Sequence, residues 1–163
     1  MKKHIQYPYL PAGREILYVP ESHAFMRALK RYAEKHSLDK TMPCASMVVK
    51  NLTVFGLGAN GSEYHDKYGC KRKLTNSKTG ENYSDCEGCH PKNHSEIKAL
   101  KATLTNGNKT EGADLYLWGH WWFCKSCWDA MEKAGIENVY LMEGSEVLFN
   151  KYEKGNVVGK QFK

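Results

Sequence analysis

One histidine, two cysteines and one carboxylate form the part of the sequence best suited to chemistry. They occur as His94-x-Glu96 and Cys124-x-x-Cys127. An imidazole and two thiolates are zinc ligands, and three protein ligands leave the fourth tetrahedral position open, as in catalytic sites. We predict that Glu96 moves protons beside this open position rather than serving as a fourth ligand.

Each half of this pattern is common by itself. Cys124 and Cys127 would also fit a structural zinc knuckle or a redox pair, with His94 as a surface residue. The order of the surrounding elements favours the catalytic interpretation, because each half opens a predicted helix and a predicted strand separates them. At a helix N-terminus, free N–H groups and positive dipole also face the metal and the substrate.

A second candidate metal site lies in the segment 62–93, which is polar and has no regular periodicity. An irregular stretch of this length is usually functional or held by a metal. Its candidate ligands are Cys70, Cys86, Cys89, His65 and His90. We predict a structural zinc bound by the three cysteines and one histidine, and the sequence leaves the choice between His90 and His65 open. The alternative is a set of reduced free thiols.

The hydrophobic pattern predicts the elements that position these residues. Residues 1–20 are expected to form an extended arm. The other expected elements are a helix from Ser22 to His36, strands over 44–50 and 52–58 that form a hairpin at Asn51, a helix from His94 to Asn106, a strand over 113–118, a helix over 124–134, a strand over 137–142, a short strand or helix over 146–152, and a frayed tail.

The order of these elements predicts an α/β fold with a mixed sheet. The first two strands pair antiparallel, whereas the later strands alternate with helices and are expected to pair parallel, with helices on both faces. Both metal-ligand motifs then fall at one edge of the sheet. We expect residues 1–163 to form a single domain, in which 62–93 is an insertion held together by a bound metal ion.

Composition limits the function only loosely. The net charge of +6 suits an anionic substrate or nucleic acid, but no block of like charges marks a nucleic-acid groove. No apolar run is long enough to span a membrane, and the basic N-terminus lacks the apolar stretch of a signal peptide. We therefore expect a cytoplasmic protein with reduced thiols and no membrane partner.

The motifs resemble those of a known family. His-x-Glu followed by Cys-x-x-Cys is the signature of zinc deaminases, and the chain resembles the cytidine deaminase-like superfamily over residues 22–142. The resemblance to its deoxycytidylate (dCMP) deaminase branch rests on Gly58-Ala59-Asn60-Gly61, Cys70-Lys71-Arg72, the segment 77–81, and Tyr83, Cys86 and Gly88 ahead of His94-Ser95-Glu96. Some members of this branch carry an additional structural zinc in the loop.

The chain departs from this family around the expected substrate site. Ser95 replaces the usual alanine, residues 89–93 are inserted, and Phe123 replaces a proline. The connection 118–122 is longer and more aromatic than usual. These differences concern the choice of substrate more than the type of reaction.

The resemblance implies a three-layer cytidine deaminase-like fold and hydrolytic deamination of a cytosine ring, most simply dCMP to dUMP, with Glu96 as acid and base. It implies sugar contact by Asn60, base contact by the backbone near Ser95, and assembly into a homo-oligomer. Stacking by Trp118 or Trp121 and phosphate contact by Lys71, Arg72 or Lys73 are further expectations. The alternatives are a deaminase of free nucleosides or of bases in RNA or DNA, and a non-catalytic zinc module that binds nucleic acid or protein.

Overall fold

The computed structural model describes residues 4–78, 81, 83 and 86–163. Two residues of the motif 77–81, Thr79 and Gly80, lie outside the described residues. The elements are β1 Ile16–Val19, α1 Ala24–His36, β2 Ala45–Lys50, β3 Thr53–Ala59, α2 Glu63–Tyr68, α3 Lys71–Leu74, a 3₁₀ turn Pro91–Asn93, α4 Ser95–Thr105, β4 Asp114–Trp118, α5 Lys125–Lys133, β5 Val139–Met142 and α6 Ser145–Leu148. Within this described part, no helix has the length and apolar character needed to span a membrane.

The five strands form one mixed sheet in the order β1-β5-β4-β2-β3. Strand β2 pairs antiparallel with β3 and with β4, whereas β5 pairs parallel with β4 and with β1. The α/β fold, the antiparallel first hairpin and the parallel later strands are confirmed. The hairpin turns at Asn51 and Leu52, which both have positive φ. A two-residue turn of this kind follows the right-handed twist of the strands that it joins.

Helices cover both faces of the sheet, and successive residues of a strand supply opposite faces. In β4, Leu117 belongs to the buried cluster that includes residues of α4 and α5. Its neighbours Tyr116 and Trp118 belong to the buried cluster that includes residues of α1. The fold is therefore three-layered, with α4 and α5 on the face that carries the candidate ligands.

Strand β1 corrects the prediction of an extended arm over residues 1–20. Residues 16–19 pair in parallel with β5, from Ile16 opposite Val139 to Val19 opposite Met142. The strand has four residues at the sheet edge, so too few residues alternate to produce a periodic signal. Its place depends on a partner strand far along the chain.

The start of α1 and the C-terminal tail also differ from expectation. Helix α1 begins at Ala24, because His23 rather than Ser22 caps it: the His23 Nδ1 accepts a hydrogen bond from the Phe25 N–H at 3.2 Å.

The expectation of a frayed C-terminal tail is wrong. The Gly159 N–H donates to the Thr41 carbonyl at 3.0 Å, and the Phe162 ring stacks on Trp118 with 5.6 Å between centroids. The tail is held by contacts distant in sequence, which a local pattern does not reveal.

Candidate active site

The two ligand motifs meet because each lies at the start of a helix on the same side of the sheet. His94 is the residue before α4, and Cys124 is the residue before α5. The His94 Nδ1 lies 3.5 Å from the Cys124 Sγ and 3.4 Å from the Cys127 Sγ. All three ligand atoms lie within 4.8 Å of one another. We call His94, Cys124 and Cys127 the three-ligand site.

The donor chemistry of the three-ligand site fits zinc. Two sulfur donors and one imidazole nitrogen are the ligand types that zinc prefers, and three of them leave one position open. Hydrogen bonds from Cys127 and from His94 lower the pKa of the Cys124 thiol to about 4. This environment therefore stabilises a thiolate, the form in which cysteine binds a metal.

Glu96 lies in the first turn of α4 and is almost fully buried, with 7% of its surface exposed. Burial raises the pKa of its carboxyl group above the usual value. The Ser95 Oγ donates to the Glu96 Oε2 at 3.1 Å, and the Ser46 Oγ lies 2.7 Å from the Ser95 Oγ. The carboxyl group is thus fixed by its neighbours and shielded from water, which suits a group that exchanges protons.

A cavity of about 390 Å³ lies over this site, within the size range of small-molecule pockets. Its lining includes His94, Glu96, Asn60, Tyr83, His120 and Trp122. Residues of the C-terminal segment, Phe149 and Val158 among them, also contribute to the wall. The cavity therefore joins the three-ligand site to residues from distant parts of the chain.

Asn60 lines the cavity but uses most of its hydrogen-bonding capacity inside the protein. Its Oδ1 accepts from the Cys44 N–H at 2.8 Å and from the Ser37 Oγ at 2.5 Å. Its Nδ2 donates to the Met42 carbonyl at 2.7 Å. One hydrogen of Nδ2 remains for another acceptor. The side chain therefore ties the end of α1 to the start of β2 beneath the cavity.

Replacing Asn60 by Ala is expected to lower the free energy of unfolding by about 1–3 kcal/mol, because the Cys44 N–H is left without its acceptor. Urea denaturation of the zinc-loaded protein measures this change. Asn108→Ala is the matched control, since the Asn108 side chain makes no hydrogen bond within the described residues. Equal stability of the two variants would contradict the structural role of Asn60.

The structure places Trp118, predicted to stack on a substrate, outside the lining of this cavity. Trp118 is 3% exposed and packs against Phe149 and Phe162 on the α1 face of the sheet. Because Leu117 faces the cavity, the next residue of β4 must face the other way. The tryptophan that lines the cavity is Trp122.

Arg72 lines the cavity, but its guanidinium group makes its hydrogen bonds within the loop. Its Nε donates to the Glu81 carbonyl and its Nη2 donates to the Lys78 carbonyl, both at 2.8 Å. The guanidinium carbon lies 4.4 Å from the centre of the Tyr83 ring. The cavity has two further basic residues, Lys73 and Lys151. The Lys151 Nζ donates to the Ser77 carbonyl at 3.0 Å, so Lys73 is the better candidate for contact with an anionic ligand.

The loop between β3 and α4 gathers a second group of ligands. The His65 Nε2 lies 3.2 Å from the Cys86 Sγ and 3.4 Å from the Cys89 Sγ, and the Cys70 Sγ lies 3.4 Å from the Cys89 Sγ. We call His65, Cys70, Cys86 and Cys89, whose ligand atoms all lie within 4.8 Å of one another, the loop cluster. Three sulfurs and one imidazole match a closed structural zinc site.

His90 does not belong to the loop cluster, which corrects its assignment as a ligand. Its side chain is exposed, and its Nδ1 accepts a hydrogen bond from the Lys92 N–H at 3.2 Å. His90 immediately precedes the 3₁₀ turn, and capping that turn directs the ring away from Cys89. Of the two histidines that the sequence leaves open, the structure places His65 in the group.

His120 is a cavity residue that the sequence reasoning missed. Its Nδ1 accepts hydrogen bonds from the Trp121 N–H at 3.1 Å and from the Trp122 N–H at 3.4 Å. Burial, followed by the nearby His94, lowers the pKa of His120 to about 4. The ring is therefore neutral near pH 7, with its proton on Nε2. The only signal in the sequence was its place in the aromatic connection before Cys124.

An open site of one imidazole and two thiolates beside a buried carboxylate, on a three-layer α/β fold, defines a class of zinc-dependent hydrolytic enzymes. The model of the family described as "Cytidine and deoxycytidylate deaminase zinc-binding region" matches residues 20–143. The chain belongs to this family.

Solved structures that resemble this chain include the following two. A dCMP deaminase from the cyanophage S-TIM5, in complex with dCMP and dUMP, has a TM-score of 0.49 and 20% identity, over 76% of this chain and 83% of that chain. A Thermotoga maritima diaminohydroxyphosphoribosylaminopyrimidine deaminase/reductase has a TM-score of 0.46 and 17% identity, over 74% of this chain. This chain spans 29% of that protein's length. No curated protein matches the chain.

Proposed function

We propose that this protein converts a cytosine nucleotide, dCMP, to dUMP with release of ammonia. The observation that carries this proposal is the three-ligand site with the buried Glu96 beside it, both lining one cavity. His94, Cys124 and Cys127 hold the zinc ion. Zinc bound in such an open site supplies Lewis acidity, which lowers the pKa of water to about 7.

Glu96 carries the protons of this reaction. Its carboxylate accepts a proton from the attacking water and passes it to N3 of the ring. The new bond joins the water oxygen to C4. Glu96 then takes the remaining proton of that oxygen and gives it to the amino group, so that the C4–N bond breaks, ammonia leaves and the C4 carbonyl forms. A carboxyl group whose pKa is raised by burial serves in both directions. The hydrogen bond from the Ser95 Oγ keeps it in place.

The cavity walls suggest how the nucleotide lies. The remaining Nδ2 hydrogen of Asn60 contacts the sugar, and the backbone near Ser95 contacts the base. Trp122 and Tyr83 offer apolar surfaces for the ring, and Lys73 and Lys151 attract the 5′-phosphate. Because Phe149 and Val158 close part of the wall, a free nucleotide fits this cavity better than a base within a polynucleotide.

The loop cluster holds a second zinc ion, which is structural. Its four ligands fill the coordination sphere and leave no position for water or substrate. Between the end of α3 and the start of the 3₁₀ turn, the described residues form neither an α-helix nor a strand. Metal bonds therefore replace the hydrophobic core that this segment lacks. The family resemblance further leads us to propose that copies of the chain associate.

An assay of the zinc-loaded protein with dCMP, deoxycytidine, cytidine and a cytosine-containing DNA single strand tests this function. We expect dCMP to react with the highest kcat/KM. Lys73→Met is expected to lower kcat/KM for dCMP by about 10-fold through loss of one charge-assisted contact, and to leave kcat/KM for deoxycytidine unchanged. Formation of the uracil product is followed by absorbance.

Each other outcome points to a stated alternative. Equal kcat/KM for dCMP and deoxycytidine would identify a nucleoside deaminase. Preference for the single strand would identify a polynucleotide deaminase. If none of the four substrates reacts although zinc is bound, the deaminase assignment of the cavity is wrong and a non-catalytic zinc module remains.

A further inference from the structure

Cys89 connects the two ligand groups. Its Sγ belongs to the loop cluster, 3.4 Å from both the Cys70 Sγ and the His65 Nε2. Its backbone carbonyl oxygen lies 2.9 Å from the Nε2 of His94, a member of the three-ligand site. One residue therefore belongs to one cluster through its side chain and contacts the other through its backbone.

The contact with the Cys89 carbonyl decides which nitrogen of His94 faces the metal. A neutral imidazole has one N–H donor and one acceptor nitrogen, and a carbonyl oxygen only accepts. The His94 proton must therefore sit on Nε2, which leaves the Nδ1 lone pair directed at Cys124 and Cys127. Contacts of this kind orient metal-binding histidines and raise their basicity.

The position of the Cys89 carbonyl depends on the loop cluster. Residues 86–89 form a tight turn in which the Cys89 N–H donates to the Cys86 carbonyl at 3.1 Å. The turn is pressed against His65, since a Cβ on Gly88 would lie 2.3 Å from the His65 ring. Three members of the loop cluster thus surround the peptide that holds His94.

We propose that the loop cluster positions the active-site histidine: metal bound there holds the Cys89 carbonyl against the His94 Nε2–H, and its loss weakens metal binding at the three-ligand site. This inference rests on the two-zinc proposal above and goes beyond it, because the loop metal then acts on the reaction centre as well as on the fold. His65 and Cys70 are positioning residues: Cys70 lines the edge of the cavity, but neither residue is a ligand of the three-ligand site, and both act on His94 through Cys89.

The test uses Co²⁺-loaded full-length protein with Cys70→Ser as the variant and His90→Asn as the control. His90 lies in the same loop, and an asparagine oxygen can replace its Nδ1 as acceptor for the Lys92 N–H. The absorption spectrum of bound Co²⁺ depends on the number of sulfur ligands. The loop cluster has three and the three-ligand site has two, so the two bound ions can be followed separately. Competition with a chelator gives the affinity of each site.

We expect Cys70→Ser to weaken Co²⁺ binding at the three-ligand site by about 10–100-fold, the usual effect of losing an orienting contact, and His90→Asn to match the wild type. Nitrogen NMR of the imidazoles should show the His94 proton on Nε2 in the wild type and a mixture of tautomers in Cys70→Ser. Metal titration of the wild-type apoprotein, which needs no variant, should show that filling the loop cluster raises affinity at the three-ligand site.

Unchanged affinity and an unchanged His94 tautomer in Cys70→Ser would overturn the inference. Independent filling of the two sites in the wild type would also overturn it. If the wild type binds a single ion per chain at the three-ligand site, the loop metal and this inference both fail. Deamination of dCMP by that one-ion protein would still support the proposed reaction.

Discussion

Replacing Glu96 by Gln is expected to lower kcat for deamination by about 10²–10⁴-fold, the contribution of a positioned general acid and base. Glutamine has nearly the same shape and still accepts the hydrogen bond from the Ser95 Oγ, but it cannot take a proton from water. Glu96 is outside the group of ligand atoms formed by His94, Cys124 and Cys127. Zinc content should therefore remain that of the wild type, and the loss should appear in kcat rather than in metal binding.

The measurement combines product formation with metal analysis on the same preparation. Glu63→Gln is the control, because Glu63 also lies in the first turn of a helix but is exposed and is absent from the cavity lining. Its kcat should be unchanged. Substantial activity of Glu96→Gln would exclude Glu96 as the proton carrier. Loss of zinc from that variant would instead assign Glu96 a part in holding the metal.

Replacing Gly58 by Ala is expected to destabilise the protein by about 3 kcal/mol, near the upper end of the usual range for overpacking. A Cβ at Gly58 would lie 2.5 Å from both the Ala99 nitrogen and the Ser95 carbonyl oxygen. Both atoms belong to the backbone of α4, so no side-chain rotation relieves the clash. Helix α4 carries Glu96 and directly follows His94, so the displacement should also reduce zinc affinity.

Denaturant unfolding and metal competition measure these two effects of Gly58→Ala. Thr53→Ala is the control, because Thr53 lies on the same strand and is exposed. It should unfold close to the wild type. If Gly58→Ala unfolds at the wild-type denaturant concentration and binds zinc normally, β3 and α4 are not as closely packed as the structure indicates.

The local parts of the site could be predicted from the sequence because their geometry is local. In the first turn of a helix, residues three apart lie on the same face, so Cys124 and Cys127 present both sulfurs together. His94 and Glu96 likewise share one helix start. The hairpin at Asn51 and the alternation of later strands and helices also depend on short stretches, and they give the sheet whose edge brings the two motifs together.

The choice between His65 and His90 was decided only by the tertiary structure. His90 is next to Cys89 in sequence, whereas His65 lies on α2 and reaches Cys86 and Cys89 across the loop. Proximity along the chain would favour His90, but its side chain caps the following 3₁₀ turn and accepts a hydrogen bond from the Lys92 N–H instead. No periodic pattern in an irregular loop indicates that direction.

Long-range packing likewise decided which cavity residues are free to bind. The sequence by itself indicated the candidate ligands, the candidate proton carrier and the order of elements, because these follow from residue chemistry and short spacings. It did not determine that Trp118 faces α1 or that His120 lies in the cavity. Nor did it show that the Asn60 side chain makes three hydrogen bonds within the protein. Those properties depend on which distant segments pack against each residue, and only the folded chain specifies them.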